Sequence, residues 1–236
     1  EVPELVLMSA PDHSTLQDLA ERTAKAIADD PNATVAGVSR AWSGRRAQSA
    51  RLGVVASTPS ELCEKLHAFA RGELAQGVAM GEAGEGAPKL AFLYPGQGAQ
   101  RVGMIADIRK RFPVVAKALN AMDEALEGHL KRPVTHLLYP EERGVEVDPT
   151  LAMAELTATE NCQPALISVG VALTRLLDQL KVSADVVAGH SVGEFTAAIS
   201  GGVIDAAEGV RFVAARGAAM ADMEGDRGAM VALVCE

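Results

Sequence analysis

The segment VVAGHSVGEFTAAISGG, residues 186–202, places a serine between two glycines where a strand turns into a helix. The β-branched residues before Gly189 favour a strand, and the small residues after Gly193 favour a closely packed helix. So abrupt a turn leaves no room for side chains two positions from Ser191, so glycine is needed on both sides. The pentapeptide matches the G-x-S-x-G nucleophile elbow, in which Oγ stands above a sheet and the Val192 N–H points at an oxyanion.

A second glycine-rich segment, LYPGQGAQ (93–100), also follows a predicted strand. Gln97 stands there between Gly96 and Gly98, and free backbone N–H groups of this loop can complete an oxyanion hole. An anion-cradling loop or a plain turn is the alternative, whereas a P-loop is excluded because no Gly-Lys-Ser/Thr follows. The elbow has its own alternative, an ordinary glycine-rich strand-to-helix turn.

The predicted helix at 205–223 carries an arginine among its large apolar residues. At 100° per residue, Arg216 lies about 40° from both Phe212 and Met220, whereas Arg211 projects elsewhere and is predicted to be solvated. A guanidinium on an apolar face is costly unless a carboxylate meets it, preferably in a bidentate pair. That carboxylate can belong to the protein, or it can arrive with a substrate that bears a free carboxylate.

Composition and charge exclude several classes of function. The chain has 236 residues, 48% of them hydrophobic, and a formal net charge of −9, with no basic stripe for phosphate recognition. No apolar run reaches the ~18 residues of a membrane span, and the first residues lack the basic region of a signal peptide. Cys63, Cys162 and Cys235 lie far apart, which disfavours disulfide frameworks and zinc sites. We therefore expect a cytoplasmic protein that binds neither nucleic acid nor a membrane.

The sequence predicts two domains, 1–88 and 89–236, separated by the glycine-rich segment 77–88. The signals in the first domain are strand-like runs at 4–10 and 51–57, a capping box of Ser14 with Gln17, and a helix start at Thr58, Pro59 and Glu61 that leads to about Arg71. The signals in the second are a strand ending at Tyr94, helices at 113–126, 163–180 and 205–223, a loop with Pro133, Pro140 and Pro149, and a strand in 228–236. Alternating strands and helices favour a mostly parallel sheet.

Four features of the second domain follow one another in order: PGQGAQ, QPAL, GHSVGE and Arg216. The combination resembles the malonyl-CoA:acyl carrier protein transacylases and the acyltransferase domains of modular polyketide and polyunsaturated fatty acid synthases. It implies that residues 89–236 are the N-terminal portion of an α/β-hydrolase-like acyltransferase core with a parallel sheet. Residues 1–88 resemble the small α/β adaptor, or linker, that joins a ketosynthase to its acyltransferase.

The resemblance implies a catalytic role for three residues. Ser191 would take the acyl group from coenzyme A as an ester, while Gln97 and Val192 would donate backbone N–H groups to the oxyanion. The acyl group would then pass to the phosphopantetheine thiol of an acyl carrier protein. No metal and no cofactor of the enzyme's own is implied, because the phosphopantetheine belongs to the partner.

The resemblance implies substrate binding for three more residues. Arg216 would clamp the free carboxylate of malonate or a substituted malonate, Gln163 of the QPAL segment would lie near the active site, and His190 would line the pocket. A hydrophobic residue after the serine, as Val192 is here, accompanies malonyl selection in the family.

The resemblance also implies what this sequence lacks. The family's catalytic histidine follows a ferredoxin-like subdomain, which would begin here near Gly228 and is truncated. His190 diverges from Ser191 on an elbow, and the other histidines lie in the adaptor or beside the proline-punctuated loop: His13, His67, His129 and His136. We therefore expect this chain to be nearly inert without the remainder of the acyltransferase domain, and we expect the adjacent ketosynthase as a further partner.

Two other functions remain open at this point. A serine hydrolase, an esterase or a patatin-like lipase, would share the elbow, and Arg216 is the residue that argues against it. A non-catalytic docking or scaffold fragment of a megasynthase would share the adaptor and need no base.

Overall fold

The computed structural model describes residues 2–84, 86, 88–144 and 146–222. The chain forms two compact units, residues 1–88 and 89–236. Each unit buries its own cluster of apolar side chains.

The first unit is a three-stranded sheet covered by helices. Its elements are β1 (Glu4–Ala10), α1 (His13–Asp29), α2 (Val35–Ser43), β2 (Ala50–Ala56), α3 (Pro59–Ala70) and β3 (Val78–Glu82). The strand order is β1-β2-β3 and both pairings are antiparallel, so the expectation of a mostly parallel sheet is wrong for this unit. Strand β3 lies inside the glycine-rich segment 77–88, which was expected to be only a boundary, because its backbone pairs with β2 across the sheet.

Of the two helix caps predicted for the first unit, the structure confirms one and contradicts the other. The Thr58 hydroxyl accepts a hydrogen bond from the Glu61 N–H at 3.2 Å, as the sequence predicts. Helix α1, however, is capped by Asp12, whose carboxylate accepts from the Thr15 N–H at 2.8 Å. Ser14 is already helical, because the Asp12 carboxylate, two residues earlier, satisfies a free N–H group of the first turn.

The second unit is built on two parallel strands. Its elements are β4 (Ala91–Tyr94), α4 (Ala106–Arg111), α5 (Pro113–Ala125), α6 (Val134–Leu138), a 3-10 helix (Pro140–Arg143), α7 (Pro149–Thr157), α8 (Thr159–Gln179), β5 (Val186–Gly189), α9 (Gly193–Ser200) and α10 (Ala206–Ala221). Strands β4 and β5 pair in parallel with Tyr94 opposite Gly189. Their carboxyl ends therefore lie at one edge, where loops of α/β proteins carry binding sites.

Two helical segments of the second unit differ from the expectation. Helix α8 begins at Thr159 rather than at residue 163, so Pro164 lies in its second turn. The proline-punctuated loop contains α6, the 3-10 helix and α7, because proline is favoured in a first helical turn and Pro140 and Pro149 occupy it. The strand expected in 228–236 and the start of the ferredoxin-like subdomain lie outside the described residues.

Helices α8 and α10 pack closely, and a glycine makes the approach possible. A Cβ on Gly217 of α10 would stand 3.0 Å from the Cα of Glu160 at the start of α8. This contact brings the arginine-bearing helix beside the QPAL segment. Within the described residues, no helix has both the length and the apolar character that a membrane crossing requires.

Candidate active site

The strand–serine–helix segment forms a sharp elbow. Ser191 has a φ of 54°, a left-handed conformation that is costly for a residue with a side chain. A Cβ on Gly189 would overlap the backbone of Gly193, and a Cβ on Gly193 would overlap the carbonyl oxygen of Tyr94. Both glycines are therefore required by contact, and the exposed Ser191 is held at the tip of the turn.

The two glycine-rich turns lie against each other. The His190 N–H donates to the Tyr94 carbonyl oxygen at 3.0 Å, which joins the ends of β5 and β4. A Cβ on Gly96 would stand 2.7 Å from His190 Nδ1 and 3.3 Å from Ser191 Cβ. The PGQG loop is thus in van der Waals contact with the elbow, as an oxyanion hole shared between them requires.

The geometry leaves two backbone donors beside the serine. Val192 caps helix α9, and neither its N–H nor the N–H of Gln97 has a hydrogen-bond acceptor among the described residues. The loop is held by Gln100, only 5% exposed, whose Oε1 accepts from the Gly98 N–H at 2.7 Å. Sequence reasoning did not single out Gln100, although it is the last residue of the PGQGAQ segment and its side chain shapes that turn.

Arg216 is half-buried and contacts neutral groups. Its Nη1 donates to Oε1 of Gln163 at 2.5 Å, and its guanidinium carbon lies 6.0 Å from the ring centre of Phe195. Among the described residues, no carboxylate lies within ion-pairing distance of this guanidinium. The protein carboxylate that the sequence left open as a partner is therefore not found in the described part of the chain.

The side chains that α10 buries differ from those that the helical angles group around Arg216. Phe212 is 59% exposed and Met220 47% exposed, so the large apolar side chains beside Arg216 are not core. The buried face is formed by smaller residues, Val210, Val213, Ala214 and Gly217, because close packing on α8 requires them. Arg211 is half-buried rather than fully solvated.

A chain of contacts links Arg216 to both turns. The side-chain amide of Gln97 lies 3.5 Å from the Thr159 hydroxyl at the start of α8, and Gln163 follows Thr159 by one helical turn. Phe195, which faces Arg216, lies in the first turn of α9, the helix that follows Ser191. The structure thus links the predicted site residues by a series of contacts near the carboxyl ends of β4 and β5.

The histidines do not provide a base in the described residues. His190 is exposed beside the elbow, and no described side chain forms a hydrogen bond with the Ser191 hydroxyl. His13 packs edge-on against Phe69, and His67 contacts Glu21, both within the first unit. In the second unit His129 is exposed and His136 is half-buried on α6.

A parallel strand pair that ends in a G-x-S-x-G turn defines an α/β protein with an elbow of the kind found in α/β-hydrolases. The family model described as the acyl transferase domain matches residues 91–235, and the chain belongs to that family. The α/β acyltransferase fold and the resemblance of the second domain are thereby confirmed, whereas the adaptor assignment of residues 1–88 stays a prediction.

Curated relatives are polyketide synthases. The chain is 34% identical over 227 residues to the phenolphthiocerol synthesis polyketide synthase Pks15/1 of Mycobacterium marinum, covering 96% of this chain and 10% of that protein. It is 35% identical over 227 residues to the mycoketide-CoA synthase of Mycobacterium tuberculosis, covering 96% of this chain and 5% of that protein. The chain therefore spans a small part of each relative.

Solved acyltransferase domains share the fold. The domain from module 8 of the salinomycin polyketide synthase matches 93% of this chain and 50% of its own, with 28% identity and a TM-score of 0.79. The acyltransferase domain of SpnD, solved in complex with 2-(pent-4-yn-1-yl)malonyl, matches 92% of this chain and 49% of its own, with 28% identity and a TM-score of 0.76.

Proposed function

We propose that this chain takes part in the transfer of a malonyl-type group from coenzyme A to the phosphopantetheine thiol of an acyl carrier protein. The adjacent ketosynthase and the remainder of the acyltransferase domain are the other partners we propose. Membership of the acyl transferase domain family supports the reaction class. The half-buried guanidinium of Arg216, without a protein carboxylate among the described residues, is the observation that carries the acyl specificity.

The proposed reaction has two halves that share one ester. Oγ of Ser191 attacks the thioester carbonyl, the tetrahedral intermediate expels the coenzyme A thiolate, and an acyl-serine remains. The carrier-protein thiol then attacks the ester and returns the hydroxyl. A base must accept the Ser191 proton, and we propose that it is a histidine outside the described residues, in accordance with the resemblance.

The oxyanion of each half-reaction would be stabilised by backbone donors. The N–H groups of Val192 and Gln97 lie on turns in contact with each other and have no acceptor among the described residues. One preorganised donor of this kind contributes about 3 to 4 kcal/mol to transition-state stabilisation. The positive end of α9 adds to the same effect.

Arg216 would select acyl groups that carry a carboxylate. Gln163 is neutral and accepts from one N–H of the guanidinium, so the positive charge is not cancelled and other N–H groups can bind a carboxylate in a bidentate pair. A neutral acyl group such as acetyl would leave that charge unpaired in a partly desolvated place.

The experiment compares malonyl-CoA with acetyl-CoA as donors for the Arg216→Ala variant, in the full-length polypeptide that carries this sequence. We expect the ratio of malonyl to acetyl loading to fall by roughly 10- to 100-fold, the value of a lost charge-assisted hydrogen bond. Arg175→Ala, an exposed position on α8, is the control. An equal loss of loading from both donors would contradict the role of Arg216 as a carboxylate clamp. Rapid hydrolysis of the acyl-enzyme without transfer to the carrier protein would favour an esterase.

A further inference from the structure

Gln163 is a buried polar side chain with an identified partner for each end of its amide. It is 1% exposed, its Oε1 accepts from Nη1 of Arg216 at 2.5 Å, and its Nε2 lies 3.5 Å from the Met220 sulfur. Buried amides are retained where their hydrogen bonds are made, because an unpaired one is costly. The orientation of this amide is therefore fixed by α10, the helix that carries the arginine.

The contact fixes a side chain that is otherwise free to move. Arginine has several rotatable bonds, and the described residues offer Arg216 only the Gln163 oxygen and the ring of Phe195. One of five guanidinium donors is used by the amide, and the planar fork keeps the others in a fixed geometry. An arginine held in this way meets a carboxylate without first losing its conformational freedom.

The neutrality of Gln163 matters as much as its position. A glutamate in its place would put a carboxylate within ion-pairing distance of Arg216 and would compete with any acid group on a substrate. A residue of the same size without an acceptor would leave the guanidinium unheld. An amide oxygen is the acceptor that orients the cation and leaves its charge available.

We propose that Gln163 is a positioning residue that sets carboxylate specificity through Arg216, rather than a group that touches the acyl chain. The inference rests on the proposed function of Arg216. It differs from the role implied by the resemblance, in which Gln163 only lies near the active site, because it assigns the amide a defined partner and a defined consequence.

The test uses two substitutions in the full-length polypeptide, with saturation kinetics of acyl loading from malonyl-CoA and acetyl-CoA. For Gln163→Glu we expect the malonyl-to-acetyl ratio of kcat/KM to fall roughly 10- to 100-fold, mainly through a higher KM for malonyl-CoA. Gln163→Met keeps the volume but removes the acceptor, and we expect a smaller fall in the same ratio. Gln179→Glu, an exposed position at the end of the same helix, is the matched control.

The most informative measurement is the energetic coupling between Gln163 and Arg216 in the double variant. If Gln163 acts through Arg216, adding Gln163→Glu to Arg216→Ala causes no further fall in the ratio. A fall for malonyl and acetyl by the same factor would mean a structural role and would overturn the proposal. Should Gln163→Glu not fold, an unchanged ratio in Gln163→Met overturns it. If the malonyl-to-acetyl ratio is unchanged in Arg216→Ala, both the proposed function and this inference are wrong. If the ratio falls in Arg216→Ala but not in the Gln163 variants, only the inference is wrong.

Discussion

Gly96 lies directly against the elbow of Ser191: a Cβ added to Gly96 would stand 2.8 Å from the His190 carbonyl oxygen and 3.3 Å from Ser191 Cβ. The first of these neighbours is backbone, so it cannot rotate away. The spacing between the PGQG loop and the elbow is therefore set by the absence of one methyl group on Gly96.

The substitution Gly96→Ala should separate the two turns. We expect it to lower the free energy of unfolding by about 1 to 3 kcal/mol, the usual effect of overpacking, and to reduce acyl loading of Ser191. Chemical denaturation and loading assays of the full-length polypeptide measure both. Gly44→Ala is the control, because φ is −79° there and a Cβ would have no neighbour within 4 Å. Unchanged loading in Gly96→Ala would show that the loop does not serve the serine.

Asp205 links the stability of α10 to pH. Its carboxylate accepts from the N–H groups of Glu208 and Ala207, and these hydrogen bonds lower its pKa below the ordinary value of 3.8. Because the pKa is lower in the folded state, the stabilisation is complete above pH 3.8 and is lost as the pH falls through the lowered value.

The substitution Asp205→Ala tests that linkage. We expect a lower unfolding temperature than for the unsubstituted protein at pH 7, and a difference that shrinks as the pH drops below 3.8. Thermal unfolding followed by circular dichroism across this range gives the comparison, with the exposed Asp178→Ala on α8 as control. A difference that stays constant down to the lowest pH would contradict the account.

Cys162 should be unreactive although it adjoins Gln163. The thiol is 0% exposed, and burial raises its pKa to about 11. At pH 9, about 1% of it is thiolate, and that fraction is shielded from reagents. We expect iodoacetamide to modify the half-buried Cys63 before Cys162 in the native protein, and both after denaturation in urea, as measured by mass spectrometry of the peptides. Rapid native alkylation of Cys162 would contradict its placement in the core.

Local sequence was enough to predict the elements whose turn or starting residue is determined by neighbouring residues in the chain. The elbow at Ser191, the Thr58 cap and the helix from Pro113 follow from short-range rules of backbone geometry, and the structure has them at those residues. The Asp12 cap was missed because two neighbouring residues could serve, and only the backbone of the folded turn selects one.

Features that depend on distant partners could not be predicted in this way. Strand β3 exists because it pairs with β2, and a glycine-rich segment gives no periodicity that would reveal it. The exposure of Phe212 could not be predicted from the sequence, since helical angles do not show which face of α10 a neighbouring helix covers. The pairing of Arg216 with Gln163 joins residues on two helices, and neither residue type specifies the other.

Covalent labelling of Ser191 tests the proposed acyl-serine intermediate most directly. The full-length polypeptide is incubated with malonyl-CoA, quenched before transfer and digested, and the peptide that contains GHSVGE is analysed by mass spectrometry. We predict a malonyl ester on Ser191, absent from Ser191→Ala and released when an acyl carrier protein with a phosphopantetheine thiol is added. A malonyl ester on another side chain of the acyltransferase domain, or transfer that proceeds without any acyl-enzyme, would contradict the acyl-serine mechanism.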